Sequence, residues 1–174
     1  TKEEKLKKLL QGVSVKGFGE LNAKLAINDI RMNGDILALD AILEADKTLQ
    51  ATRDEYSFRP DMYKYMIEHA DAKTQKEIIR KYLTIMQEKQ DVADEKSNGK
   101  VTLFTENVYD ILAIGYYRLG DKKKSEACAK KFDEYYKLRL VDMKKMFKDE
   151  KIQAQIDDEY RQRMNDLHEK IGIK

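Results

Sequence analysis

Three short corners interrupt the helix-periodic segments of this chain: Asn33-Gly34-Asp35, His69-Ala70-Asp71 and Gly120-Asp121. They constrain the fold more than any stretch between them. A glycine just past a helix takes up the left-handed backbone that closes it, and an aspartate after the corner accepts the free N–H groups of the next helix. Helix, tight corner, helix makes an antiparallel hairpin. The corner aspartates sit at 35, 71 and 121, at intervals of 36 and 50 residues. The second interval returns to about 36 if the polar stretch around Asn98-Gly99 is an insertion. Helix pairs recurring at such a period predict stacked hairpins, a short α-solenoid.

The segments between corners supply the hairpins. Apolar residues at Leu21, Leu25, Ile30, Leu37, Ile42 and Leu49 place two helices in a first hairpin over 20–53. Pro60 suits a first helical turn, where its missing N–H costs nothing, and a second hairpin spans 58–90. Thr74 with Glu77 three residues on predicts a capping box at that hairpin's second helix. The stretch 91–102 has little to bury and predicts a surface loop. A third hairpin covers 104–136, and its lysine-rich second helix continues through Leu140. Ile152, Ile156, Tyr160, Met164, Leu167 and Ile171 form one apolar stripe, which predicts a capping helix over 150–171. A basic amphipathic helix precedes the first hairpin, separated from it by a loop dotted with Gly12, Gly17 and Gly19.

Composition supports an all-α reading. Charged residues make up 38% of the chain, against roughly 25% in ordinary domains, and there is one proline, a balance that favours long exposed helices over strands. At 174 residues the chain fits a single domain, 1–174, and a domain near this length buries roughly 70% of its unfolded surface. The net charge of +2 creates no whole-molecule field to draw nucleic acid or an anionic membrane. No stretch approaches the roughly 20 apolar residues of a spanning helix, so a soluble chain that does not insert in a membrane is expected. The sequence opens at Thr1 rather than methionine, and the compartment stays open, together with the question of a targeting segment or neighbouring domain ahead of it.

Few residues invite catalysis. His69 and His168 stand about a hundred residues apart with no His-Glu-x-x-His pair, so no metal site is expected, and no cofactor either. Gly17-Phe18-Gly19 lacks the third glycine and the preceding strand of a nucleotide fingerprint. Asp157 and Asp158 are adjacent on a helix and do not face each other as an acid and base pair would. Cys128, the one cysteine, reads as a small apolar residue and excludes an internal disulfide. Lysines interleave with tyrosines after Asp121, the composition of a nucleic-acid surface, but that span to Glu150 holds ten basic and seven acidic residues, and nucleic acid is not expected.

The stretch "VYDILAIGYYRLGDKKKSEA" resembles a tetratricopeptide repeat, with Tyr109, Leu112, Ala113, Tyr116, Gly120 and Asp121 in the signature places. The likeness is best over 106–134 and weaker elsewhere: Ser125 replaces the alanine that begins the second-helix signature, and no proline closes a repeat. An unrelated helical bundle with Gly-Asp turns is the other fold open to this sequence. The resemblance implies that the first helices of successive hairpins line a concave groove. Its lining would be Lys24, Asn28 and Arg31 from the first hairpin, Lys64 and Ile67 from the second, and Asp110, Ile114, Tyr117 and Arg118 from the third. Lys24 and Asn28 look like part of the family's carboxylate clamp, but Asp61, Asn107 and Ile111 stand where it would want Asn, Lys and Arg.

The sequence thus points to an antiparallel stack of hairpins acting as a non-catalytic scaffold that binds a peptide or protein partner in a groove of mixed charge and tyrosine. A monomer is favoured over a homodimer, because the C-terminal stripe is too short for a coiled-coil seam. The alternative is a ligand-binding or regulatory helical bundle, a domain of a larger exported protein. The two differ in whether the first helices form an open groove or converge on a closed pocket.

Overall fold

A computed structural model describes residues 32–49, 58–104 and 106–174. Among these residues there are six helices and no strand: α1 (Ile36–Leu49), α2 (Phe58–His69), α3 (Lys76–Lys96), α4 (Tyr109–Arg118), α5 (Lys122–Met146) and α6 (Glu150–Lys170). The protein is all-α. No helix among the described residues is long and apolar enough to cross a membrane. The N-terminal helix, its glycine loop and the first helix of the first hairpin lie outside the described residues.

The chain divides after Asp71 into two compact units, with α2 in the first and α3 in the second. In the first unit α1 packs against α2. The corner ahead of α1 works as its residues predict: Gly34 takes a φ of +66°, and the Asp35 carboxylate accepts the Ala38 N–H at 3.0 Å. Leu39 and Leu43 on α1 and Met66 and Ile67 on α2 are fully buried.

The second unit holds α3 to α6. Helix α4 ends in a Schellman closure: the Asp121 N–H reaches the Tyr116 carbonyl at 2.8 Å, and the Gly120 N–H reaches that of Tyr117 at 3.0 Å. Gly120 has a φ of +86°, and the Asp121 side chain then caps α5 by accepting the Lys124 N–H. The corner folds α5 back on α4. The Ser125 hydroxyl, 1% exposed, donates to the Ala113 carbonyl at 2.7 Å, so the departure from the alanine signature supplies a cross-helix bond. Helix α6, capped by Asp149, packs on both α5 and α4. Ile114, Ala129, Phe132, Tyr136, Met164, Leu167 and Ile171 form the resulting core, and each large apolar side chain buried there contributes about 1.5–3 kcal/mol.

Two local expectations are corrected. Residues 91–96, placed in a surface loop by sequence, continue α3 for more than a turn, to Lys96. The helix ends where its backbone can: Asn98 and Gly99 have φ of 52° and 74°, and the Gly99 N–H closes on the Asp94 carbonyl at 2.7 Å. The extra turn is held by polar side chains rather than apolar burial, and hydrophobic periodicity does not register it. The capping box is not formed either: the N-cap of α3 is Gln75, with no side-chain cap, and Thr74 lies one residue outside.

Candidate functional site

Helix α4 presents opposite faces to its neighbours, since successive residues turn by about 100° around the axis. Tyr109, Leu112 and Tyr116 recur at steps of three and four and lie on one face. Asp110, Ile114 and Tyr117 lie on the other. The first face is the floor of a cleft of about 400 Å³ walled by α3 on one side and α5 on the other.

The α3 wall is a polar stripe, Gln87, Gln90, Asp91 and Asp94, again at helical spacing. Gln90 is only 3% exposed. Its Oε1 accepts the Val108 N–H at 2.8 Å, which caps α4 in place of a side chain from Val108 itself, and its Nε2 donates to Asp94 Oδ1 at 2.9 Å. The same oxygen accepts the Tyr109 hydroxyl at 2.8 Å. Two turns away the Tyr116 hydroxyl donates to Gln87 Oε1 at 2.6 Å, and Gln87 Nε2 donates to Asp91 Oδ1 at 2.8 Å. Both floor tyrosines are therefore tied to the α3 wall by their hydroxyls. Burial first, and then the Asp94 hydrogen bond and charge, push the Tyr109 phenol well above its ordinary range. Burial also raises Tyr116.

The α5 wall is basic. Lys124 Nζ stands 5.3 Å from the centre of the Tyr116 ring and Lys131 Nζ 5.5 Å from that of Tyr109, both within cation–π range. Between them lie Ala127 and Cys128. Burial raises the Cys128 thiol to about 11 against the pull of Lys131 and Lys124, so it is a neutral S–H at pH 7 and a poor nucleophile. The sequence reading of Cys128 as a small apolar residue matches its half-buried place in the wall. A second groove, of about 450 Å³, runs between α5 and α6. There Tyr160 hydrogen-bonds to Asp133, which also pairs with Lys137 at 2.9 Å, and His168 lines the same groove. Among the described residues no three His, Cys, Asp or Glu side chains converge as metal ligands would.

Of the residues expected to line a groove, two are buried in the core. Lys24, Asn28 and Arg31 lie outside the described residues. Lys64 and Ile67 belong to the first unit, and Ile67 is 0% exposed, so it is core rather than lining. Ile114 is 5% exposed and packs with Met164, Leu167 and Ile171. Tyr117 joins the same cluster, and a Cβ added at Gly172 would stand 2.7 Å from its hydroxyl. The stripe on α6 has thus closed over the face of α4 that sequence reading left open, and Asp110 and Arg118 are half-buried beside it. The cleft formed on the opposite face. Its wall residues escaped sequence reading because a polar stripe at helical period is also what a solvated face looks like. The usable signal is the shared seven-residue spacing of Gln87 and Asp94, Tyr109 and Tyr116, and Lys124 and Lys131. No protein-family model, curated protein or solved structure matches the chain.

Proposed function

We propose that the second unit is a non-catalytic recognition module of tetratricopeptide-like hairpin architecture, and that it holds a short segment of a partner protein in the α3–α4–α5 cleft. The hairpin is supported by the Gly120–Asp121 closure, by the burial of Tyr109, Leu112 and Ala113 at the signature positions, and by α6 lying on α4 and α5 as the next helix of a stack would. One observation carries the binding role: the cleft keeps the half-buried Tyr116 ring, the Tyr109 hydroxyl and charges of both signs around an open space. Apolar packing would have closed such a space, and a polar cleft with oriented donors and acceptors is what selects one polar segment over another. The neutral thiol and hydrogen-bonded carboxylates leave no activated nucleophile at this place.

Selection of a random-peptide display library on the whole chain tests this. Ala127 is an exposed position on the α5 wall, so Ala127→Trp fills the cleft without entering the core. Enriched peptides should lose binding to Ala127→Trp while its melting temperature stays unchanged. Peptides that bind the variant equally well, or no enrichment at all, would refute the cleft as the binding surface.

A further inference from the structure

The charges of the cleft balance in sum but are separated in space. Asp91 and Asp94 stand on the α3 wall, Lys124 and Lys131 on the α5 wall, and the α4 tyrosines lie between them. Gln87 donates to one oxygen of Asp91, and Gln90 and the Tyr109 hydroxyl donate to one oxygen of Asp94. The second oxygen of each carboxylate accepts from no group of the described residues, and neither carboxylate has a cation within ion-pair distance. Lys124 and Lys131 stand over tyrosine rings, and neither ammonium has a carboxylate within that distance. A ring face orients an ammonium and leaves its N–H groups to an acceptor from outside.

The opposition is repeated at both tyrosines. Tyr109 has Asp94 at its hydroxyl and Lys131 over its ring. Tyr116 has Gln87, the residue that holds Asp91, at its hydroxyl and Lys124 over its ring. Facing walls of opposite sign set up a field directed across the cleft, from α5 to α3. An occupant of one sign gains at one wall and is repelled by the other, and it displaces water from charges for which it offers no counter-ion. An occupant with a cation on one side and an anion on the other gains at both walls, in one orientation only.

We infer that the cleft selects a mixed-charge segment of a partner protein, lying between the walls with a basic side chain turned to Asp91 and Asp94 and an acidic one turned to Lys124 and Lys131. This rests on the reading of the cleft as a partner-segment site and adds the charge pattern of the segment. Asp94 and Lys131 are half-buried, whereas Asp91 and Lys124 are exposed, so the pair at Tyr109 is less screened and carries the larger share.

Four peptide-display libraries sharing the same random uncharged positions test this on the full chain: one admits arginine and glutamate together, the others arginine alone, glutamate alone or neither. The mixed library should enrich most. In fluorescence anisotropy, glutamine in place of the arginine or of the glutamate of an enriched peptide should weaken binding about two- to fivefold at low salt, a margin that shrinks as salt rises. The walls should answer separately. Asp94→Asn should erase the arginine's margin and keep the glutamate's, and Lys131→Gln should do the reverse, with helical circular dichroism unchanged. Asp91→Asn and Lys124→Gln should repeat the pattern more weakly, at positions that do not touch the Tyr109 hydroxyl bond. Stronger enrichment from a one-signed or uncharged library would overturn the inference, as would margins that do not follow their own wall. Displacement of the peptide by free arginyl-glutamate at equal concentration would assign the cleft to a small zwitterion and overturn it too. If peptides bind through the cleft without regard to charge, only this inference fails; if Ala127→Trp leaves binding intact, or no library enriches, the cleft reading fails with it.

Discussion

The two sides of α4 are joined to the rest of the second unit by different physics. Toward α5 and α6 the seam is mainly apolar: Ile114, Phe132, Met164, Leu167 and Ile171 pack together, with the Ser125–Ala113 hydrogen bond between α5 and α4. Toward α3 it includes a run of hydrogen bonds, from Tyr109, Tyr116 and Val108 to Asp94, Gln87 and Gln90. Burying apolar area is non-directional and favours close packing, and the groove between α5 and α6 opens where its lining turns polar, at Glu126, Lys130, Asp133 and His168. A hydrogen-bonded seam is satisfied at fixed distances and need not close further, so a cleft persists beside it. Tyr109 belongs to both, its ring in the core and its hydroxyl in the cleft. The comparison teaches that an open cleft persists where the chain places amides and phenols rather than aliphatic side chains.

Three measurements bear on that contrast. The largest effect is expected at the apolar seam, where Phe132→Ala should cost about 3–5 kcal/mol of unfolding free energy in urea. A loss comparable to a surface substitution would mean that the seam does not hold the unit together. Next comes Gln90→Leu, which keeps the volume but leaves the Val108 N–H without its acceptor and Asp94 short of a donor. About 1–3 kcal/mol should be lost, with faster amide exchange at the start of α4 before α6 is affected. Uniform exchange across both seams would break the distinction between them.

The smallest effect is an alkaline one, and it compares one tyrosine from each region. Burial and the Asp133 hydrogen bond raise Tyr160 to about 12 from 10.0, and Tyr109 is raised by burial and Asp94. The unfolded chain therefore releases these protons near pH 10 while the folded protein keeps them. Their stabilisation is complete below pH 10 and is lost as pH rises through the folded values. Urea midpoints at pH 9 and 11 should show a drop that shrinks in both Tyr160→Phe and Tyr109→Phe. An unchanged drop in either variant would remove that phenol from the account. At the acid end, burial opposes but Tyr160 and Lys137 outweigh it in lowering Asp133. Its contribution is present above the ordinary aspartate range and disappears as pH falls through the lowered value.

Much of the secondary structure was legible beforehand because its causes are local. The Gly34–Asp35 and Gly120–Asp121 corners need only a left-handed residue and a neighbouring carboxylate, and both are visible in a few letters. The α6 stripe was legible for the same reason, with Ile156, Met164, Leu167 and Ile171 buried as its period predicts. The end of α3 was not, because Gln90 and Asp94 find their partners at Val108 and Tyr109, 18 and 15 residues away in the sequence.

By itself, then, the sequence determined that this protein is helical, where several of its helices end, and which stripe of the last helix must be buried. Those outcomes follow from backbone preference and periodicity, which act over one or two turns. Only the tertiary structure decided which face of α4 the last helix would cover, and hence that Ile114 is core with Tyr117 packed against it, while Tyr116 and the Tyr109 hydroxyl face a cleft. Both faces of α4 carry apolar and aromatic residues, so periodicity cannot rank them, and the choice depends on how helices distant in sequence share one buried volume.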